Sequence, residues 1–405
     1  MSVLGRLVEI WLPYGRSEVP VRVPEEKLVD ILKPESRSAI GEPVAEAEKL
    51  LRTNDKFQEA ATKAARAIIV LGSCGSQQLA TDLVQTVLKH LPQPGSTTIL
   101  CTRDATEPDS GAIGDVKVLK HTSKSASIPF TDFHGALVPN IDSEFVNSDI
   151  RILLGELRPH HFLEYSGLCD LVFPYLAADA SIHAHLAERP GITLSDLHKE
   201  RVEIAKSFHD LFALGLTLNP EMRPASMVFG GIDDCLTTLS NTVKELYSRP
   251  ITKRADIVVM GAGGLLSDES LLEAVETIPA GLNALKKEGT LILAAECSKG
   301  HGDTEFYDWS SEHKEPRHLE TRLRHRFNYN GFKASFLSRT LEAHRVCLVS
   351  TIPDYYVENI FRMKSAPTVN AALHNAQRTQ GSDSTITVIP DAGRVIPMQI
   401  ETAKQ

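Results

Sequence analysis

The sequence predicts an α/β protein built as two α/β domains with a cleft between them. Three observations lead there. The chain has 405 residues, more than one ordinary core holds and suited to two. Short apolar runs ending in glycine alternate with helical stretches, as they do where helices cover a parallel sheet. That alternation breaks at Ser248-Arg249-Pro250 and then starts afresh. The expected domains are therefore 1–248 and 249–382.

In chain order, residues 6–24 alternate apolar and polar around Pro13-Tyr14-Gly15, which predicts a β-hairpin. A helical stretch rich in Ala, Glu, Lys and Leu covers 42–66. Ala67-Ile68-Ile69-Val70-Leu71-Gly72 reads as a buried strand, 79–91 as a helix and Thr98–Cys101 as the next strand. The pattern weakens at Val116–Leu119 and returns at Ile150–Gly155. A helix is expected over 194–215, a strand over 225–229 and a helix over 236–247. In the second unit, strands are expected at 257–261, 290–295, 345–350 and 385–390. Helices are expected at 268–287, capped by Ser267 or Asp268, and near 317–328 and 355–363.

Composition excludes several classes. Net charge is -9, so the basic footprint that non-specific nucleic-acid binding needs is missing. Six cysteines are spread singly, which predicts reduced thiols in a cytoplasmic protein rather than a disulfide framework or a cysteine-based zinc site. No run approaches the ~20 apolar residues of a membrane helix, and the N-terminus, interrupted by Arg6, Glu9 and Arg16, lacks a signal peptide's core. The expected partner is a small molecule.

Chemistry concentrates in Glu156–Glu188. This stretch holds His160, His161, His183 and His185, with Glu164, Cys169, Asp170 and Asp179 between them. If 181–185 is extended, His183 and His185 share a side and can ligate one metal; if it is helical they diverge by ~200° and only one serves. Adjacent His160 and His161 share a pocket only where the backbone is irregular. Gly261-Ala262-Gly263-Gly264 follows a strand but is not GxGxxG and reads as a tight turn. In Lys299-Gly300-His301-Gly302-Asp303, the glycines permit close approach of a ligand or cofactor, and His301 with Asp303 can bind or move a proton.

Several segments, in order, resemble the nickel-dependent lactate racemase family. They are Leu12-Pro13-Tyr14-Gly15, His161-Phe162 with Ser166-Gly167 and Val172-x-Pro174, Gly300-His301-Gly302 before Phe306-Tyr307, and Val388-Ile389-Pro390-Asp391. The resemblance implies two α/β domains with the active site in the cleft between them, the last strand returning so that 383–405 completes the first domain. It also implies a nickel-pincer nucleotide joined to a lysine, a histidine on the nickel, and two histidines that exchange protons with a 2-hydroxy acid. Carried over, His161 falls on one proton-transfer histidine, His185 (or His183, shifted by one) near the nickel ligand, and Phe332 on an aromatic position.

The same comparison shows departures. Gln77 stands where the family has a substrate-binding arginine, and Thr106 where it has the second proton-transfer histidine. Glu273 and Glu276 replace a Gln and a Lys, and Asp170 takes the place of the cofactor lysine. No lysine occurs from Ser125 through His198, so the thioamide cannot form within that stretch. Gln and Glu at cationic positions are expected to remove the positive field that holds a carboxylate. Three readings follow: an isomerase acting on a 2-hydroxy acid or sugar acid with nickel or a nickel-pincer nucleotide held without a covalent bond; an enzyme using a plain divalent metal on His183, His185 and Asp170, Asp179 or Glu164; and a non-catalytic binding protein. A small carboxylate is the substrate class expected.

Overall fold

The computed structural model describes residues 6–91, 96–122, 124–133, 138–186, 193–265, 267–312, 315–325 and 327–399. Two twisted sheets dominate. The first has the order Pro224–Gly231, Leu211–Leu218, Ile150–His160, Ala67–Leu71, Thr97–Cys101, Lys117–Lys120. All neighbours in it are parallel except the antiparallel edge pair Leu211–Leu218 and Pro224–Gly231. The second runs Lys364–Ser365, Arg345–Val349, Leu285–Ala294, Ala255–Gly261, Ile386–Ile389, Leu28–Ile31, and every pair is parallel.

Parallel strands are covered on both faces, so they read as continuous apolar runs. Ala67–Leu71 is buried throughout, with Ile68 and Val70 in one core and Ala67, Ile69 and Leu71 in the opposite one. Ile257 and Val259 likewise face one core of the second sheet, Val258 and Met260 the other. The N-terminal hairpin, Leu7–Tyr14 with Ser17–Pro24, forms as its alternation predicts. Its Ile10, Leu12, Val21 and Val23 pack on the second sheet, and the Gly15 amide donates to Asp268 at 2.8 Å.

Four expectations change. The final strand, Ile386–Ile389, does not join the first sheet: it lies between Ala255–Gly261 and the N-terminal Leu28–Ile31 in the second. Both of its faces are buried, and that central slot satisfies its backbone on both edges. The helix expected over 194–215 stops at Lys206, and Leu211–Leu218 is a fully buried strand. An unbroken apolar run carries no period that separates the two states. The helix expected over 268–287 is three short turns, Leu271–Ala274, Val275–Thr277 and Ile278–Ala284, with Pro279 inside the last. Its cap is Ser270; Asp268 instead accepts the Gly15 and Glu296 amides.

The fourth change matters most for chemistry. The strand expected to end at Gly155 runs on to His160 and folds back antiparallel onto Glu164–Gly167. Gly167 closes that hairpin at φ 116°, where a Cβ would come within 1.9 Å of the Glu156 carbonyl. The extension carries Arg158, His160 and His161 out to face the second sheet.

Candidate active site

Ligands in open α/β sheets sit outside the carboxyl ends of the strands. Two adjoining cavities lie there, about 590 and 540 Å³. The larger is entered by residues just past Gly261 and Ile389 (Gly263, Ser267, Asp391) together with His161 and Arg394. The smaller is entered by Arg103 and His121, just past Cys101 and Lys120, with Asp170, Tyr175 and Lys333. Arg158, His160, Ser166, Glu273 and Glu276 line both and form the wall between them.

That wall is tied across the two sheets. His160 Nδ1 accepts the Phe162 and Leu163 amides, each at 3.2 Å, so its proton sits on Nε2, 3.1 Å from a Glu276 oxygen. The other Glu276 oxygen pairs with Lys333, and the Tyr329 hydroxyl lies 3.2 Å away. Burial alone would push the Glu276 carboxyl up; Lys333 and His160 outweigh it and hold the group well below the usual carboxylate range. Lys333 is buried on helix Tyr329–Ala343, its ammonium 4.6 Å from the Tyr329 ring centre.

His161 does reach the cleft. Its Nε2 donates to the Ala392 carbonyl at 2.7 Å, since a carbonyl only accepts. Burial pulls its pKa down to about 4, so the ring is neutral near pH 7 with Nδ1 carrying the lone pair. The turn after His160 supplies the irregular backbone that lets both adjacent histidines line one cavity. Beside them, burial pushes Asp391 up to about 6 against the pull of Arg394. Arg394 makes two bonds to Glu156, 2.5 and 2.9 Å, and a third to Tyr247 at 3.2 Å.

The other sequence candidates scatter. Asp170 is buried in the wall of the smaller cavity, engaged by Arg201 and by the Gly167 amide at 2.9 Å. Glu273 faces both cavities, with Ser270 Oγ 3.1 Å from its carboxylate. Gln77 is exposed at the start of helix Gln77–Leu88 and lines neither cavity. The Thr106 hydroxyl accepts the Cys74 amide at 3.0 Å, a brace between loops. Phe332 packs edge-on against Phe162 at 5.2 Å, beside the cleft rather than in it. His301 turns onto the Asp303 carbonyl at 3.1 Å and the Tyr307 ring at 5.0 Å; Asp303, not His301, reaches the smaller cavity.

The metal expectation meets a helix. Residues Asp179–Leu186 are helical, not extended. The His183 side chain lies outside the described residues. His185 is buried against Phe173, with Nδ1 2.7 Å from Glu200. Among the described residues no three His, Cys, Asp or Glu side chains converge in a way that could hold a metal ion. The lysines lining the cavities are Lys33 and Lys333, the latter engaged by Glu276. Asp170, already paired and unable to form a thioamide, does not fit a lysine-tethered cofactor.

Cations do line the cleft, from positions other than Gln77, Glu273 and Glu276. Arg103, Arg158, Arg201, Lys333 and Arg394 all line the cleft. Arg201, Lys333 and Arg394 are matched to Asp170, Glu276 and Glu156. Arg158, on the shared wall, has no carboxylate within salt-bridge reach among the described residues. On the extended strand it stands two residues before His160 and takes the same face, a placement hidden from the sequence because the strand was expected to end at Gly155. Lys333 and Arg394 had no local signal either, being brought in from a distant helix and the C-terminal segment.

This arrangement of fold and cleft has known counterparts. Residues 251–396 match the lactate racemase C-terminal domain. A lactate racemase of Thermoanaerobacterium thermosaccharolyticum is 29% identical over 265 residues, covering 62% of each chain. One from Lactiplantibacillus plantarum is 25% identical over 269 residues, covering 63% of each. The match thus spans under two thirds of these relatives' length. The solved lactate racemase apoprotein of T. thermosaccharolyticum superposes with a TM-score of 0.79 at 23% identity, over 96% of this chain and 100% of that one. A Thermotoga maritima protein gives 0.61 at 13% identity, over 90% of this chain and all of its own. The chain is thus similar to lactate racemases in its C-terminal domain and in its fold.

Proposed function

We propose that the protein is an isomerase-class member of this family, acting on a small 2-hydroxy acid or sugar acid in the cleft between the two sheets. The observation that carries the reading is Arg158. It is a guanidinium on the wall of both cavities with no carboxylate partner among the described residues, while Arg201, Lys333 and Arg394 are matched to carboxylates and Arg103 lies over the Tyr175 ring at 5.1 Å. A planar fork of donors left open in a half-buried cleft suits a substrate carboxylate. His161, neutral and with Nδ1 unprotonated, supplies a base beside it.

Two features set the reading apart from the lysine-tethered chemistry of the resemblance. Asp170 stands at the tether position and is bound to Arg201. Thr106, at the position of the second proton-transfer histidine, is engaged by a backbone amide. Any nickel or nickel-pincer group would therefore be held without a covalent lysine bond, and no step is assigned to it. The same pairing of Asp170 favours a second reading, a protein that binds such acids without converting them.

Chiral chromatography of single enantiomers of lactate and longer 2-hydroxy acids, incubated with protein from nickel-supplied cells, separates the readings. Interconversion of one acid supports the isomerase. Binding without interconversion supports the second reading, and failure to bind any 2-hydroxy acid removes both.

A further inference from the structure

The smaller cavity contains an imidazole–carboxylate pair that neither the family resemblance nor the sequence singled out. His121 follows the edge strand Lys117–Lys120 and lines the cavity. Its Nδ1 lies 2.8 Å from Asp142 Oδ2. The other Asp142 oxygen accepts the Glu144 amide at 3.0 Å, and the side chain is buried. An ionised Asp142 has only acceptors to offer, so the bond to Oδ2 places a proton on His121 Nδ1. Nε2 is the nitrogen left for the cavity, the lone-pair one in the neutral ring, and among the described residues no hydrogen bond engages it. A buried carboxylate fixing the tautomer and orientation of an imidazole whose other nitrogen faces a cavity is the arrangement of a general base and its orienting acid.

The other imidazoles at the cleft are already engaged. Both nitrogens of His160 are committed, to two amides and to Glu276. His198 Nδ1 receives Arg201 at 2.8 Å. That leaves His161 Nδ1 on the larger cavity and His121 Nε2 on the smaller, with Arg158 between them on the wall that both share. A substrate hydroxyl that is to lose its proton needs an acceptor within hydrogen-bond reach, and each cavity offers one imidazole nitrogen for it.

On these grounds we infer that His121, oriented by Asp142, is the second proton-accepting residue of the cleft, receiving the hydroxyl of a 2-hydroxy acid whose carboxylate rests on Arg158. It would fill the role for which Thr106 has no base. This inference rests on the 2-hydroxy-acid reading above. The step is one proton: the substrate O–H donates to Nε2, and the proton returns along the same bond. Asp142 stabilises the imidazolium while it lasts.

Calorimetric titration of lactate and of propionate, its analogue without the hydroxyl, tests this in wild type, His121→Gln and Asp142→Asn. Wild type is expected to prefer lactate by about tenfold, the worth of one good hydrogen bond. Both variants are expected to lose most of that preference while propionate binding stays unchanged, which also reports an intact fold. Ring-nitrogen NMR of the unliganded protein should show His121 protonated on Nδ1, with that tautomer depleted in Asp142→Asn. A lactate preference that survives in His121→Gln, or a His121 protonated on Nε2, overturns the inference and leaves the parent reading standing. Binding of neither acid to wild type overturns both.

Discussion

Single side chains decide the character of the shared wall. Glu276 is ionised because Lys333 and His160 both reach it, and Lys333 is buried for that contact alone among carboxylates. Removing the ammonium strands a buried charge. Lys333→Met is therefore expected to lose about 3 kcal/mol of stability in urea unfolding at neutral pH, whereas Lys333→Met with Glu276→Gln recovers part of it. A neutral Lys333→Met single variant would contradict the pairing. His161 gives a pH test. Its folded pKa of about 4 lies below the ordinary 6.5. The stability tied to its neutral form is thus fully present above about pH 6.5 and lost as pH falls towards 4. Its ring NMR shifts should stay flat from pH 8 to about 5, and a midpoint near 6.5 would contradict the burial argument.

Among elements, the Ile150–His160 strand with its return Glu164–Gly167 builds the site. Gly167 is indispensable to that return: its positive φ and the 1.9 Å approach to the Glu156 carbonyl leave no room for a Cβ. Gly167→Ala should cost more than about 1 kcal/mol and loosen the extension that carries Arg158 and His160, read as a lower melting temperature together with weaker ligand binding. Local pattern made the strands of both sheets readable, because parallel strands buried on two faces announce themselves as apolar runs. It failed where the run was apolar but aperiodic, at Leu211–Leu218. It failed again where a strand continued through polar residues, since Glu156, Arg158 and His160 do not look like strand until a second sheet faces them. The histidine stretch reaches the cavity walls through His160 and His161; the first tautomer is set locally by the Phe162 and Leu163 amides, the second by the distant Ala392 carbonyl, which no local pattern announces.

Across the whole molecule, both ends of the chain are built into the second sheet, through Leu28–Ile31 and Ile386–Ile389. The first sheet is then held to this assembly in part by Arg394, whose guanidinium grips the buried Glu156 from the segment after Ile389. Sequence order concealed this, because strand pairing between residues 28–31 and 386–389 has no local cue. Arg394→Met should leave Glu156 uncompensated, costing about 3–5 kcal/mol, and split a single thermal unfolding transition into two as the sheets uncouple. One unshifted transition in that variant would contradict the clamp. The same whole-molecule view brings in side chains that local sequence does not announce: Lys333 and Arg394 reach the cleft from elements remote in sequence, each matched to a carboxylate, while Arg158 has none in reach among the described residues.

The most direct test of the central claim is calorimetric titration of D- and L-lactate into wild-type protein and Arg158→Met. Binding to wild type, weakened at least about tenfold in a variant of unchanged melting temperature, is the predicted result. Equal affinity in the two proteins, or no binding to wild type, would contradict it.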